Sequence, residues 1–328
     1  MEKNSLALFC DAHFHLIPSQ EALGGLAFLQ SNAFAARSVT ASHSIDEFLA
    51  QEKKVLELKK KDCRVKPDND AEVKPDNDTD GKPCDGADVK PDNDAGKKPC
   101  DGADGKSNAP LLLQSFGLHP QAPFLDERDF KVRLDFLEGL LSEKRIAAIG
   151  ECGYDLFTKE FSDNITAQEK AFFAQIELAS RFGFPIIVHA RKAMEKIFFS
   201  AAKLKKIPAV IFHSFSGTES DALSILGKGI NAYFSFGKPL LNGAKKAVRC
   251  VKTLPLDRLL FETDAPYQTL KGELATSPAE IAEVYQAAFE LRAAGTPFEA
   301  RPLFAEFCAQ VARNFRRAFA LASARILR

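Results

Sequence analysis

The chain alternates short apolar runs with longer stretches in which apolar residues return every three or four positions. Eight of the runs read as β-strands: Leu6–Cys10, Ser38–Ala41, Leu111–Phe116, Arg145–Gly150, Phe184–Val188, Ile207–Phe212, Ile230–Phe236 and Arg258–Phe261. Between them the spacing predicts helices, among them Ile45–Lys60, Glu127–Ser142, Thr166–Phe182 and Met194–Leu204. In the third, Phe172, Phe173, Ile176 and Ala179 share one face. Ser44 followed by Glu47 has the spacing of a capping box, and Gly183 stands where a helix should stop. Eight strands, each followed by a helix over about 250 residues, describe an α/β protein of the (β/α)8 TIM-barrel class. A doubly wound open sheet is the alternative, but no glycine-rich dinucleotide fingerprint follows the first strand.

One stretch breaks the pattern. Val65-Lys-Pro-Asp-Asn-Asp70 recurs at Val73 and Val89, and Lys82-Pro-Cys-Asp-Gly-Ala-Asp88 recurs at Lys98. Segment 62–106 has almost no apolar content, so it buries too little surface to offset the entropy of ordering it. It reads as a disordered, acidic, low-complexity insert interrupting a single barrel domain that spans 1–328. Asp76-Asn-Asp78-Thr-Asp80-Gly81 matches the first half of a calcium loop, but Ala87 stands where a bidentate Glu is needed. Cys84 and Cys100, with no His nearby, make a poor zinc site.

Charge changes the picture little. The chain has 44 basic and 44 acidic residues; the insert holds 13 acidic and 8 basic, which leaves the barrel mildly basic at 36 against 31. No whole-molecule field draws the protein to nucleic acid or a membrane, so such a partner needs a local patch. Seven irregularly spread cysteines fit reduced thiols in a cytoplasmic setting better than a disulfide framework. The apolar run Leu6–Cys10 is shorter than a signal-peptide core of about 7–15 residues. Nowhere do about 18 apolar residues run without a charge. The expectation is a soluble, cytoplasmic protein with no membrane partner and no obligate protein partner.

The chemistry lies in the histidines. Of six, five fall at or just beyond the C-terminal end of an expected strand: His13, His15, His119, His189 and His213. Active sites of these barrels collect at that face. Glu151 and Asp264 end two further strands there. In extended chain, side chains at i and i+2 point to one side, so His13 and His15 can reach one ion, with Asp11 as a third on that side. The set His13, His15, Glu151, His189, His213 and Asp264 is too large for one tetrahedral ion with an open position. It suits two ions about 3.5–4 Å apart, bridged by a carboxylate and a water.

Six ordered motifs carry a resemblance: Asp11-Ala-His13-Phe-His15, Gly117-Leu-His119-Pro120, Ile149-Gly-Glu151-Cys-Gly153-Tyr-Asp155, Pro185-Ile-Ile-Val-His189-Ala-Arg191, His213-Ser-Phe-Ser-Gly217 and Glu262-Thr-Asp264-Ala-Pro-Tyr267. Together they resemble the TatD-like metal-dependent deoxyribonucleases, as does the closing Ala312-Arg-Asn314-Phe-Arg-Arg-Ala-Phe319. Only 62–106 lies outside the resemblance, which runs from about residue 6 to the C-terminus. It implies a (β/α)8 fold of the amidohydrolase superfamily and hydrolysis of phosphodiester bonds in DNA, typically trimmed from the 3′ end, with single strands or 3′ ends as partners. It gives His13, His15, Glu151 and Asp264 to one divalent ion and Glu151, His189 and His213 to the other, with Glu151 bridging. His119 then sits near the scissile phosphate, and Asp155 and Glu262 match polar positions around the substrate.

The ligand set itself suggests the reaction. Two ions held there would supply an activated water, which the resemblance directs in line at phosphorus. Asp264 is placed to accept its proton and His119 to donate to a phosphate oxygen, so Asp264, Glu151 and His119 are the catalytic candidates. Arg191, two residues past a ligand, either clamps a phosphate through its planar fork or pairs with a carboxylate. Tyr267, beside Asp264, is the aromatic placed to stack on a base; Phe215, Phe234 and Phe236, in a chain of 28 Phe, read as core filler. Cys152 reads as a buried thiol, because adjacent strand residues point apart. His43 lies on the same rim but outside the motifs. Imidazole and carboxylate ligands accept Zn2+, Mn2+ or Mg2+.

After Tyr267 the chain reads Lys271-Gly-Glu-Leu-Ala-Thr-Ser277-Pro278, where the family shows an Arg-Asn-Pro-like segment; this bears on substrate preference. A metal hydrolase of an amide, ester or lactone is the alternative. The carbamylated lysine common there would need Lys at a strand end, and Glu151 stands in that place. A third reading makes the acidic insert an interaction arm.

Overall fold

The computed structural model describes residues 9–16, 37–62, 111–122, 126–297 and 302–326. Residues 1–56 with 110–328 form one compact unit and 57–109 a second, of which only 57–62 are described. The expected insert at 62–106, with its calcium-loop and Cys84/Cys100 readings, lies outside the described residues apart from Asp62.

Eight parallel strands follow one another in sheet order: β1 (Cys10–Phe14), β2 (Arg37–Ser42), β3 (Leu111–Phe116), β4 (Ala148–Asp155), β5 (Ile186–Arg191), β6 (Val210–Phe212), β7 (Ala232–Phe236) and β8 (Leu259–Phe261). The ring is drawn together where β1 meets the segment after β8: Asp264 N–H donates to His13 C=O at 3.0 Å and His15 N–H to Ala265 C=O at 2.8 Å. This is the TIM-barrel architecture the pattern predicts.

Helices fill the connections: α1 (Ile45–Asp62), α2 (Glu127–Ser142), α3 (Lys159–Asp163), α4 (Ile165–Phe182), α5 (Met194–Phe199), α6 (Ala201–Leu204), α7 (Glu219–Gly227), α8 (Lys245–Thr253), α9 (Ile281–Ala293) and α10 (Phe304–Ile326). Among the described residues, 3-10 turns at Lys238–Leu240, Leu256–Arg258 and Pro278–Glu280 join them. The expected helix Met194–Leu204 is two, divided at Ser200, whose hydroxyl donates to Lys196 C=O at 2.9 Å and competes with the helical ladder. Gly183 ends α4 in the left-handed conformation at φ 69°.

Strand residues with Val, Ile, Leu and Phe are buried on both faces, as a parallel sheet under helices requires. Phe48 of α1, Phe116 of β3 and Phe136 of α2 meet edge to face, and Phe215, Phe234 and Phe236 are indeed core. Asn314 of α10 is fully buried and donates to Leu256 C=O at 2.7 Å and Leu259 C=O at 2.8 Å, tying the last helix to the strand that leads to Asp264. Among the described residues, no helix is long and apolar enough to cross a membrane.

The strand ends depart from the expected ones in a consistent direction. β1 runs Cys10–Phe14, with residues 6–8 outside the description; β4 runs on to Asp155 and β5 to Arg191. Apolar runs mark where a strand is sandwiched between barrel interior and helix layer. The backbone ladder continues past that point into the polar residues at the mouth, so Glu151 and His189 sit within strands rather than after them.

Candidate metal centre

The six ligand candidates come from five β-α units. His13 lies in β1 with His15 one step past it, Glu151 in β4 and His189 in β5; His213 follows β6 directly, and Asp264 lies three residues past β8. His43 and His119 follow β2 and β3. Around Glu151 the strand is shaped by glycine. Gly150 and Gly153 have φ of 137° and 136°; a Cβ on Gly153 would stand 2.2 Å from His189 C=O, and one on Gly150 2.5 Å from Ile187 C=O. β4 and β5 therefore approach closely there, and the Glu151 carboxylate is aimed inward.

Glu151 is the hub. Its Oε2 lies 2.8 Å from His43 Nε2, 3.4 Å from His13 Nε2, and 3.7 Å from both His15 Nε2 and His119 Nε2. Its Oε1 lies 2.8 Å from His213 Nε2 and 3.6 Å from His189 Nδ1. Asp264 Oδ1 is 3.5 Å from His15 Nε2 and 3.8 Å from His13 Nε2. All six expected ligands converge, and four triads have ligand atoms within 4.8 Å of one another: His13–His15–Asp264, His13–Glu151–His213, His15–His43–Glu151 and His119–Glu151–His189.

The donor set fits divalent cations. The Nε2 atoms of His13 and His15 face each other at 3.3 Å. Two imidazole lone pairs so placed need a shared proton or a shared cation. The separation is about the edge of a tetrahedron whose metal–nitrogen distances are about 2.0–2.1 Å.

Two carboxylates lie behind candidate ligand histidines. Glu262 Oε1 is 3.1 Å from His213 Nδ1 and accepts from Ser214 N–H at 2.7 Å. Asp155 Oδ2 is 3.0 Å from His189 Nε2 and accepts from Gln121 Nε2 at 2.6 Å. Both are fully buried. Asp11, expected on the ligand side of β1, instead accepts from Thr263 Oγ1 at 2.6 Å and Thr263 N–H at 3.1 Å, joining β1 to the residue before Asp264; burial pushes its carboxyl well above the usual range.

The electrostatics follow from this crowding. Burial pushes Glu151 up, but the imidazoles of His213, His13 and His119 more than reverse it and hold the carboxyl well below its ordinary range. Asp264 is lowered in the same way, chiefly by His213 and His15 against burial. Burial pushes His213 down, and Glu151, Glu262 and Asp264 overcome this and hold it well above 6.5. His15 and His189 are also raised against burial, by Asp264 with Glu151 and by Asp155 with Glu151. Carboxylates thus keep protons where cations would displace them.

His119 differs. Burial holds it well below 6.5, and its Nδ1 accepts from Gln121 N–H at 3.2 Å, so the proton of the neutral ring is on Nε2, facing the site. Tyr267 is half-exposed, its ring edge-on to His15 at 5.0 Å. Arg191 is exposed at the end of β5, and its guanidinium lies over Phe157 rather than on a carboxylate. Cys152 is buried, its thiol 3.6 Å from Ile187 C=O.

Sequence reasoning left His43 outside the site, yet it makes the shortest contact to Glu151 Oε2 and stacks on His119 at 4.4 Å. Its place on the rim was the available signal. Gln121 and Gln268 gave none. Gln268 donates to Asp264 Oδ2 at 3.1 Å and Ser214 Oγ at 2.8 Å, a bridge between two connections distant in sequence.

The model of TatD-related DNases matches residues 103–320. An uncharacterized metal-dependent hydrolase of Mycoplasma pneumoniae is 34% identical over 169 residues, 49% of this chain and 63% of that one. A 3′-5′ ssDNA/RNA exonuclease TatD of Cronobacter turicensis is 34% identical over 166 residues, 50% of this chain and 60% of that one. The matched part thus spans about three fifths of these curated relatives. The crystal structure of YJJV, a TatD homolog from Escherichia coli K12, overlays with a TM-score of 0.67 at 22% identity, covering 96% of this chain and 99% of that one. With its barrel, its ordered motifs and a family match over more than half its length, the chain belongs to the TatD-related DNase family.

Proposed function

We propose that this protein is a metal-dependent hydrolase that cleaves phosphodiester bonds of DNA, as a cytoplasmic exonuclease working from the 3′ end of single strands. The observation that carries the reading is the Glu151 carboxylate, whose two oxygens face two groups of imidazoles, His13 with His15 on one side and His189 with His213 on the other. The relative of Cronobacter turicensis, named for this activity, supports it.

His13, His15, Glu151 and Asp264 would hold one divalent ion, Zn2+, Mn2+ or Mg2+, and Glu151, His189 and His213 a second. When bound, such a pair supplies an activated water and charge stabilisation for an in-line displacement at phosphorus. The chain's own groups do the rest. Glu262 and Asp155 fix the rings of His213 and His189. Asp264 stands at the edge of the first group, held by Gln268, as the proton acceptor. His119 presents its Nε2–H to a phosphate oxygen, and Tyr267, half-exposed beside His15, offers a face to a terminal base.

The test is degradation of single-stranded DNA labelled at the 3′ or the 5′ end, with Mg2+, Mn2+ or Zn2+, by the native protein and by Glu151→Ala. Metal-dependent shortening from the 3′ end that the variant lacks is expected. Absence of cleavage in every metal, by protein shown to hold two ions per chain, overturns the reading and leaves amide and ester substrates.

A further inference from the structure

Beside His189, where β4 and β5 leave the barrel, an exposed aromatic ring is attended by two cations. Phe157 is 47% exposed; the Arg191 guanidinium carbon lies 3.6 Å from its centroid and the Lys192 Nζ 4.5 Å. The group is fastened to the site. Phe157 N–H donates to Asp155 Oδ1 at 2.8 Å, and the other oxygen of that carboxylate holds His189 Nε2 at 3.0 Å. Asp155 and Arg191 are register partners, and Leu156 N–H donates to Arg191 C=O at 2.9 Å. Lys192 has φ 54°, a left-handed turn that brings two consecutive cations to one ring.

The described arginines differ in their partners: Arg292 donates to the backbone carbonyls of Val251 and Leu254, and Arg313 to Gln310. Arg133, Arg145, Arg181, Arg249 and Arg258 each form an ion pair with a described carboxylate. Arg191 and Lys192 form none with any described residue, and both are exposed. Their charge is open to an anion. A guanidinium lying on an aromatic ring keeps its outer face for a base and its edge donors for phosphate oxygens, and a neighbouring ammonium serves a second oxygen as a point charge.

We propose that Phe157, Arg191 and Lys192 form a subsite for the polynucleotide beyond the scissile bond, the cations taking the adjoining phosphodiester and the Phe157-backed guanidinium stacking a base. This rests on the nucleic-acid reading above and deepens it: a strand with at least two phosphates is favoured over a small phosphodiester. Such a subsite also explains how a barrel only mildly basic in composition holds an anionic chain.

The test compares the native protein with Phe157→Ala, Lys192→Ala and Phe157→Tyr on a single-stranded DNA oligomer and on bis(p-nitrophenyl) phosphate, with the metal that supports hydrolysis. Binding of the oligomer is followed by fluorescence anisotropy over a range of salt, with chelator present to prevent cleavage. The ratio of kcat/KM for the oligomer to that for the small diester is expected to fall about tenfold in Phe157→Ala and to recover in Phe157→Tyr. Lys192→Ala lowers the salt slope of binding by about 0.7, one single-strand phosphate contact. A ratio and slope unchanged in the variants, or both substrates failing in proportion, overturn the subsite while the nuclease reading stands. Native protein that hydrolyses the small diester but neither binds nor cleaves the oligomer overturns the nuclease reading and the subsite with it.

Discussion

His43 Nε2 lies 2.8 Å from Glu151 Oε2, closer than any other imidazole to that oxygen. Its backbone is fixed at the start of α1: Ser44 Oγ accepts from Glu47 N–H at 3.1 Å, and the Glu47 carboxylate reaches back to His43 N–H at 2.8 Å. The ring is thus set in place before any ion arrives. His43→Ala is expected to cost about 10–100-fold in metal affinity or turnover, as loss of a partner to a ligand does. His43→Gln, which keeps a donor there, should cost less. Metal titration beside steady-state kinetics separates the two losses.

Gly153 is predicted to tolerate no side chain. A Cβ would stand 2.2 Å from the backbone oxygen of His189, and φ is 136°, so Gly153→Ala must push β4 from β5 at the point where both carry candidate ligands. Metal content should fall together with stability, by several degrees in melting temperature. Gly227→Ala, on a helix with nothing within 4 Å of the new methyl, is the control and should do neither.

Lys238, with a fully buried side chain, is paired with Glu273 and Glu280 and pins the segment that follows Tyr267. Burial pushes Lys238 down, but the two carboxylates prevail and raise it above 10.5; Glu273 is lowered below 4.5, first by Lys238. The signs follow by linkage. The raised Lys gives stability present below 10.5 that is lost as pH rises through its folded value. The lowered Glu gives stability present above 4.5 that is lost as pH falls through its folded value. Lys238→Met should lower the melting temperature by a few degrees across the neutral range. The gap from native protein closes at both extremes. A gap that stays constant from acid to alkali would show that the ion pairs contribute nothing.

The thiols at Cys10, Cys152, Cys250 and Cys308 are buried and unpaired. Burial raises Cys10 to about 11 and Cys250 and Cys308 to about 12, and raises Cys152 further still. At pH 8 a thiol with a pKa near 11 is about one part in a thousand thiolate, so it reacts slowly even when reached. An aromatic disulfide reagent should titrate at most three of the seven cysteines in native protein within minutes, and all seven after unfolding. Rapid reaction of a fourth would contradict this burial.

Much of the barrel was legible because its strands are apolar on both faces and its helices on one. Seven of the eight runs overlap strands over three or more residues, in chain order, the first meets β1 only at Cys10, and Glu127–Ser142 has the predicted bounds. The convergence of the candidate ligands was legible because His and carboxylate residues fall where the apolar runs end. What escaped were relations between connections. That Asp155 and Glu262 back two histidines, that Asp11 turns to Thr263, and that Gln268 joins Asp264 to Ser214 depend on which loops become neighbours. Periodicity reports a residue's own face and is silent on the residue opposite. His43 was legible in position but not in role, for the same reason.

The seam between β1 and the segment after β8 is drawn by the backbones of two proposed ligand residues, His13 and Asp264, and reinforced by His15 with Ala265. A nascent chain therefore presents His13 and His15 long before the ribosome releases Asp264, and the proposed ion site is complete only when the two ends of the fold meet. A fragment that ends before Asp264 lacks one of the groups proposed for the first ion. Under the proposed ligand set, a barrel that fails to close would also lack a complete group of donors for the first ion, so metal content would report on closure of the fold.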